Sequence, residues 1–354
     1  MDYRIGCDAH KHYSQFAVLD QEGRLLQQKR VDHQPGAIRT FLEGFPDQTR
    51  VALESVGNWY WIADEIEASG CLPLLTHAAK AKLMMGHVDK TDKLDARGLA
   101  TLLHNGTLPS VWLPPAAVRD ERELPRTRMA LVRIRTNLKN RVHATLGKFG
   151  LSPAASDLFS QKGRPSLDEA VRRLPPETRR SLELELELLD QLQTHIEVLE
   201  ARIQERIQFT PAIQLLKTLP GVGNILSIVI ASEVGSVARF PSRSHFASYA
   251  GTTPKVNASG GKTRYGRMRQ EANPFLKWAF IEAANVVARH RASPTWSSRH
   301  VVQLYDRIRH RKGHGIAVGA VARHLAEATY SILRKEEPYR EPPSRGERAP
   351  NMRP

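Results

Sequence analysis

Cysteine is nearly absent, with two in 354 residues, Cys7 and Cys71. Both lie in apolar runs and read as small core residues, and no Cys/His spacing supports a disulfide framework or a zinc site. Long apolar runs are missing too. None approaches the roughly 20 residues needed to cross a bilayer, and no signal peptide opens the chain, so the expectation is a cytoplasmic protein with no membrane partner. Acidic residues are in deficit: 37 Asp and Glu stand against 52 Lys and Arg, for a formal net charge of +15. That surplus points to a polyanionic partner, and composition alone admits a ribosomal or chromatin-like binder. No internal repeat of fixed period is present. At 354 residues the chain exceeds one compact core and predicts two or three domains.

What is present is ordered in three regions. Tyr3 to Cys7, Ser14 to Asp20 and Arg24 to Val31 read as a meander of three strands. A helix from about Pro35 to Leu42, a strand Arg50 to Glu54, a helix Tyr60 to Ala68, a strand Cys71 to Thr76 and a helix Asp92 to Leu103 follow. Three hairpin-linked strands followed by αβαβα is the order of a ribonuclease-H-like fold, within the broader α/β class. Pro114 and Pro115 then mark a break. Arg119 to Phe149 reads as one basic helix through which Arg133, Arg135, Lys139, Arg141 and Lys148 recur, with Arg135, Lys139 and Arg141 as candidate nucleic-acid contacts. Leu182, Leu186, Leu189, Leu192, Ile196, Leu199 and Ile203 step by threes and fours, the seam of a coiled coil that serves as spacer or dimerising arm. The last twenty residues are rich in Pro, Arg and Glu and predict disorder.

Carboxylates mark the first region. Asp8 ends the first strand and Glu54 a later one, and an acid closing an apolar strand is costly unless it faces a site. Asp92 and Asp95 share one helix face by their spacing, although a helix cap and a solvated acid would explain each alone. Four carboxylates drawn together repel unless a divalent cation neutralises them, and oxygen ligands favour Mg2+ or Mn2+. Two such ions about 4 Å apart would activate an attacking oxygen and stabilise a leaving one at a phosphodiester. His10 and His12 read as surface or strand residues.

Two glycine-rich stretches mark the third region. Leu219-Pro220-Gly221-Val222-Gly223 resembles the turn of a helix-hairpin-helix element, where Gly221 and Gly223 let backbone N–H groups approach a phosphate; a tight turn between packed helices fits equally. Thr253 to Arg267 reads as a polar surface loop holding Ser259, Lys262, Arg264 and Arg267. No His/Asp pair accompanies Ser259, so it belongs to no hydrolase triad. A serine can still attack phosphate where cations and metal ions stabilise the charge.

Taken in order, Ile5-Gly6-Cys7-Asp8, Ala52-Leu53-Glu54-Ser55-Val56-Gly57, Lys90-Thr91-Asp92, Leu94-Asp95-Ala96-Arg97, Pro220-Gly221-Val222-Gly223, Phe246-Ala247-Ser248-Tyr249-Ala250-Gly251 and Ser259-Gly260 resemble the DEDD insertion-sequence transposases. That family is named for insertion sequence one-ten and includes the bridge-RNA-guided recombinases. The resemblance implies an α/β plus α protein: a RuvC-like catalytic domain over 1–112, a basic-helix and coiled-coil region over 113–208, a mostly helical transposase domain over 209–335 and a disordered tail over 336–354. It implies metal-dependent catalysis by Asp8, Glu54, Asp92 and Asp95 and a nucleophilic Ser259, with Ser244 and Ser248 as substitutes. It also implies donor and target DNA, a structured bridge RNA, a homo-oligomer (dimer or tetramer), a serine of one subunit completing the carboxylate site of another, and residence at the prokaryotic nucleoid. Gly260-Gly261-Lys262-Thr263 and Arg269-Gln270-Glu271 depart from the Lys/Arg-Gly pattern common before the following helix. A Holliday-junction or structure-specific nuclease with the same acids and no serine chemistry is the competing enzyme, and a non-catalytic nucleic-acid scaffold the competing binder.

Overall fold

The computed structural model describes residues 2–86, 91–155, 157–206 and 209–342. The chain divides into two compact units, residues 1–117 and 118–354.

In the first unit the alternating strand and helix stretches build one five-stranded sheet. β1 (Arg4–Ala9), β2 (Tyr13–Leu19) and β3 (Leu25–Asp32) run antiparallel, followed by α1 (Ala37–Leu42), β4 (Arg50–Glu54), α2 (Trp59–Ala68), β5 (Leu72–Thr76), α3 (Ala78–Met85) and α4 (Asp92–His104). The sheet order is β3-β2-β1-β4-β5, with β4 parallel to β1 and β5 parallel to β4. α3 is absent from the sequence reading, because its Ala/Lys/Met run shows no clear apolar stripe. The motif residue Lys90 lies outside the described residues.

Successive side chains of a strand point to opposite faces, and β1 uses both. Ile5 and Cys7 join Phe16, Val18, Val51, Leu53, Ile62 and Ile66 in the core beneath α1 and α2. Each such aliphatic or aromatic side chain contributes roughly 1.5–3 kcal/mol by leaving water. Burial pushes the Cys7 thiol up to about 12, in keeping with a core role. The other face carries Gly6 beside Ala52, and α4 lies directly against it. A Cβ at Gly6 would stand 2.0 Å from the Ala96 carbonyl oxygen and 2.6 Å from the Ala100 nitrogen.

The second unit opens with the 33-residue α5 (Ala116–Lys148), then α6 (Arg164–Arg172) and α7 (Pro176–Arg206). Arg128, Arg135 and Arg141 on α5 reach Glu200, Gln193 and Glu185 on α7, so the two long helices run antiparallel. Val142 and Leu146 of α5 share a core with Leu167 and Val171 of α6 and with Leu182, Leu186 and Leu189 of α7. Leu192, Ile196 and Ile203 are also buried within the single chain. This corrects the expectation of a dimerising seam: an apolar stripe of that period needs a partner helix, and α5 and α6 supply it.

The remaining elements are α8 (Pro211–Leu216), α9 (Asn224–Val234), a 3-10 turn at Val237–Arg239, α10 (Arg243–Tyr249), β6 (Pro254–Ser259), β7 (Lys262–Met268), α11 (Pro274–His290), α12 (Pro294–Ser297), α13 (His300–Lys312) and α14 (His314–Lys335). Their core gathers Phe246, Phe280, Val301, Tyr305, Val321 and Leu325. One buried acid ties the long helices to it. Glu233, 1% exposed, accepts from Arg126 at 2.7 and 3.0 Å and from the Asn273 amide at 2.8 Å, with Arg122 at 3.8 Å. Asn273 also caps α11 through Phe275 and Leu276, so one carboxylate orients three helices. A buried charge is tolerated only with such a full set of donors.

Residues 336–342, expected in the disordered tail, are packed. The Tyr339 backbone N–H donates to Thr218 at 2.8 Å, and Glu341 pairs with Arg299 at 2.9 Å. A single aromatic anchor overrides a polar composition that otherwise cannot build a core; residues 343–354 lie outside the described ones. No helix among the described residues is long and apolar enough to cross a membrane.

Because α7 is held inside the chain, replacing Leu189 and Ile196 with Glu places two unpaired charges between α5 and α7, at roughly several kcal/mol. The expected outcome is loss of helical circular dichroism and a lower melting temperature. Dissociation of an oligomer with helicity intact would show instead that the seam joins subunits.

Candidate active site

Asp8 and Glu54 are brought together by strand register. β1 and β4 are parallel with Cys7 opposite Leu53, so Asp8 and Glu54 are the next positions on neighbouring strands about 4.8 Å apart. Both share the face of Gly6 and Ala52, the face on which α4 lies. The close approach at Gly6 fixes the helix at Ala96 and Ala100, and the preceding turn carries Asp92 and Asp95 back toward Asp8. Thr91 caps α4 by accepting from the Leu94 N–H at 3.3 Å, and the two acids in the first turn favour the positive end of the helix dipole.

Asp8 is 5% exposed, and its carboxyl is pushed up to about 6 by burial, opposed by His10 and reinforced by the negative charges of Glu54 and Asp95. His10 Nε2 stands 3.0 Å from Asp8 Oδ2 and 3.3 Å from Asp92 Oδ1. Asp8, His10 and Asp92 each offer a ligand atom within 4.8 Å of the others, and among the described residues no other set of three does so. Tyr13 donates to the second oxygen of Asp92 at 2.7 Å, stacks on His10 at 4.7 Å, and lies under the Arg30 guanidinium at 3.8 Å. Asn58 holds the His10 carbonyl at 2.8 Å. Two carboxylates and an imidazole within 4.8 Å of one another could hold a divalent cation.

Sequence reasoning set His10 aside and did not weigh Tyr13. The signal was the two-residue offset of His10 from Asp8, which keeps both on one side of an extended chain. The antiparallel return of β2, which carries Tyr13 to Asp92, is a tertiary fact.

Ser259 does not lie on an irregular loop. It ends β6 opposite Lys262, and Gly260 and Gly261 make the two-residue turn with φ of 55° and 73°. That turn needs positive φ at both positions, which glycine supplies freely. The strands escaped notice because both sides of the ribbon face solvent and no apolar alternation marks them. Ser244 and Ser248, the substitute candidates, lie on α10.

The Gly221 turn joins α8 to α9 with φ of 80°, and a Cβ there would stand 2.3 Å from the Ala283 carbonyl oxygen on α11. Gly221 therefore serves helix packing; Gly223, with nothing within 4 Å of a Cβ, stays open at the start of α9.

Comparison with known proteins decides the class. The family described as "Transposase IS116/IS110/IS902 family" matches residues 213–300, and the DEDD transposase family of IS110 matches residues 5–150. A "Probable family 20 transposase" of Pseudomonas aeruginosa is 28% identical over 95% of this chain and 98% of its own length. The transposase for insertion sequence element IS1111A of Coxiella burnetii is 26% identical over 95% of this chain and 91% of its own. The transposase for insertion sequence element IS1328 of Yersinia enterocolitica is 25% identical over 80% and 83%. The chain belongs to the IS110 family of transposases.

The cations predicted on α5 of this transposase are engaged within the chain. Arg135 donates to Gln193 at 2.6 Å, Arg141 pairs with Glu185 at 2.5 Å, and Lys139 sits 4.6 Å from the Phe159 ring centre. A second set went unnoticed in the sequence. Arg289 at the end of α11 and Arg307, Arg309, Arg311 and Lys312 along α13 are exposed and make no ion pair among the described residues. Arg289, Arg291, Arg309, Tyr305 and His314 line a cleft of about 470 Å³. α11 and α13 are separated by the short α12, and their packing sets Arg289 beside Arg309.

The Asp8 carboxyl makes stability depend on pH. Its folded value, about 6, lies above the ordinary 3.8. Between those values the folded chain binds more protons than the unfolded one, so stability falls as pH rises and the loss is complete above 6. In chelator, the melting temperature of the wild type relative to Asp8→Asn should drop from pH 4 to pH 6. Adding Mn2+ at pH 7 should raise the wild type and leave Asp8→Asn unmoved. A pH-independent difference between the two proteins would remove the carboxyl from this role.

Proposed function

We propose that this transposase cuts and rejoins DNA with two chemical centres, a Mg2+ or Mn2+ site on Asp8, Glu54, Asp92 and Asp95 and a nucleophilic hydroxyl on Ser259. The observation that carries the reading is the convergence of Asp8, His10 and Asp92 within 4.8 Å at the end of β1. The strand order β3-β2-β1-β4-β5 with acids at the ends of β1 and β4 supports a RuvC-like catalytic domain. Divalent cations there would polarise the scissile phosphate and stabilise the leaving oxygen. Asp8 and Asp92 supply negative charge to hold them, His10 keeps those two carboxylates at hydrogen-bond distance, and Tyr13 fixes the rotamer of Asp92.

Ser259 then attacks phosphorus. The Oγ–P bond forms as a P–O bond of the DNA breaks, the serine proton passes to solvent or a nearby base, and the departing DNA oxygen leaves as a hydroxyl. Attack of another DNA hydroxyl on the phosphoserine reverses the step and regenerates the serine, so rejoining needs no outside energy. Lys262, Arg264 and Arg267 on the ribbon steady the developing phosphate charge. The carboxylates of one subunit are served by the serine of another in a dimer or tetramer, with a structured bridge RNA pairing with donor and target DNA. Arg135, Lys139 and Arg141, the open Gly223 and the α11/α13 cluster hold phosphates.

The test separates the two centres. Asp8→Asn with Glu54→Gln should abolish strand cleavage while nucleic-acid binding persists. Ser259→Ala should bind normally yet form no denaturation-resistant protein–DNA adduct and no recombinant product. Recombination by Ser259→Ala at the wild-type rate would falsify the serine assignment. Cleavage without any adduct in the wild type would favour the nuclease reading.

A binding titration weighs the cations. Each phosphate contact contributes roughly one unit to the salt slope. Arg309→Glu should lower the slope by about one unit, whereas Arg141→Glu, whose partner Glu185 already neutralises it, should lower it less. The opposite ranking would move the interface to α5.

A further inference from the structure

The β6–β7 ribbon is exposed along almost its whole length. Its register sets Val256 opposite Tyr265, Asn257 opposite Arg264, Ala258 opposite Thr263 and Ser259 opposite Lys262. Alternation across the pleat gives the ribbon two unlike faces. One carries Asn257, Ser259, Lys262 and Arg264; the other carries Val256, Ala258, Thr263 and Tyr265. Tyr265 is 71% exposed and Val256 49% exposed. Among the described residues Tyr265 makes no ring or cation contact, and Lys262, Arg264 and Arg267 make no ion pair. Elsewhere in this unit the aromatic rings pack on one another, as Phe240 does on Phe246 and Tyr249. An aromatic and a β-branched residue paired in open water add little to the fold, so the face is shaped for an occupant.

That occupant must be anionic toward one face and flat and apolar toward the other. A nucleic-acid strand has both properties, phosphates along its backbone and bases with π-faces. Ser259 shares its face with Lys262 and Arg264, and that pairing of hydroxyl and cations selects the strand being cut. We infer that Tyr265, backed by Val256, is a stacking platform for an unstacked base of the DNA strand whose phosphate is held at Ser259. The inference rests on the serine reading above. The Val256–Tyr265 pair stands three residues from the Ser259–Lys262 pair, about 10 Å along the ribbon, close to three steps of duplex at 3.4 Å per step. A two-stranded ribbon fits a DNA groove, and apolar side chains inserted between base steps unstack them. Tyr265 thus opens or holds open the DNA beside the cut.

The experiment uses the full chain and a twelve-nucleotide oligothymidylate carrying one 2-aminopurine, with an oligouridylate of equal length for comparison. Base–aromatic stacking contributes enough that Tyr265→Ala should weaken DNA binding roughly tenfold. The salt slope should stay unchanged, because stacking releases no counterions, and the 2-aminopurine emission change on binding should disappear. Tyr265→Trp should restore both. Lys262→Glu and Arg264→Glu should each lower the slope by roughly 0.7. Ser259→Ala should retain the emission change, so the platform is read without the chemistry. If the wild type forms no phosphoserine adduct while the Tyr265 effect persists, the serine reading fails and the platform stands. If the adduct forms and Tyr265→Ala binds and reports like wild type, the platform is refuted and the serine stands. An effect confined to the RNA probe, or a shift in sedimentation of Tyr265→Ala, also overturns the inference by assigning the face to RNA or to a second copy of the chain.

Discussion

The first unit of this molecule depends on the contact of a helix backbone with a strand backbone at Gly6. At that point α4 presents chiefly the peptide groups of Ala96 and Ala100, with the Leu99 Cβ beside them, and β1 has no side chain at Gly6. The contact removes the usual spacer between helix and sheet. It sets the start of α4 beside the end of β1, and the acids of both elements are brought within reach of one ion. Any side chain at position 6 would meet the backbone of α4 at Ala96 and Ala100 and push the helix outward. The fold thus draws acids together by backbone packing, and the Asp8 carboxyl, raised first by burial and then by Glu54 and Asp95, resists ionisation.

The second unit solves a different problem with a buried charge. Glu233 is surrounded by Arg122, Arg126 and Asn273, and the Arg239 guanidinium reaches its carbonyl at 3.3 Å. Removing one partner would strand a buried charge, which is costly. The network also explains why the α5–α7 arm belongs to the same compact unit as α8–α14. Ile203 of α7, Ile213 of α8 and Ile228 of α9 continue the connection with apolar contacts. From this base the β6–β7 ribbon projects into solvent with its serine and its cations, supported at its roots by Thr253 and Arg269, whose backbone groups pair at 3.2 Å.

Legibility followed the physical range of each signal. Strands β1 to β5 and helices α2, α4, α5 and α7 were readable because their apolar periodicity or density is local. The pairing of Asp8 with Glu54 was readable as strand ends, since parallel neighbours align their carboxyl ends. α3, the ribbon and the segment 336–342 were not. α3 lacks an amphipathic stripe, the ribbon is solvated on both sides, and the last segment is held by one tyrosine and one ion pair. His10 was dismissed for want of a zinc spacing, a rule that does not cover one imidazole between two carboxylates.

By itself, the sequence determined the charge, the α/β order of the first unit and the family, and it named four acids and Ser259 as candidates, because each is written in residue identity or in short-range spacing. The tertiary structure decided three things that no local pattern encodes. It seated α7 against α5 and α6, because an apolar stripe states that a partner is needed and not which one. It set Arg289 of α11 beside Arg309 of α13 at one cleft, because local charge density depends on which helices meet. It gave the serine segment two faces, because strand register, not composition, determines which side chains stand together.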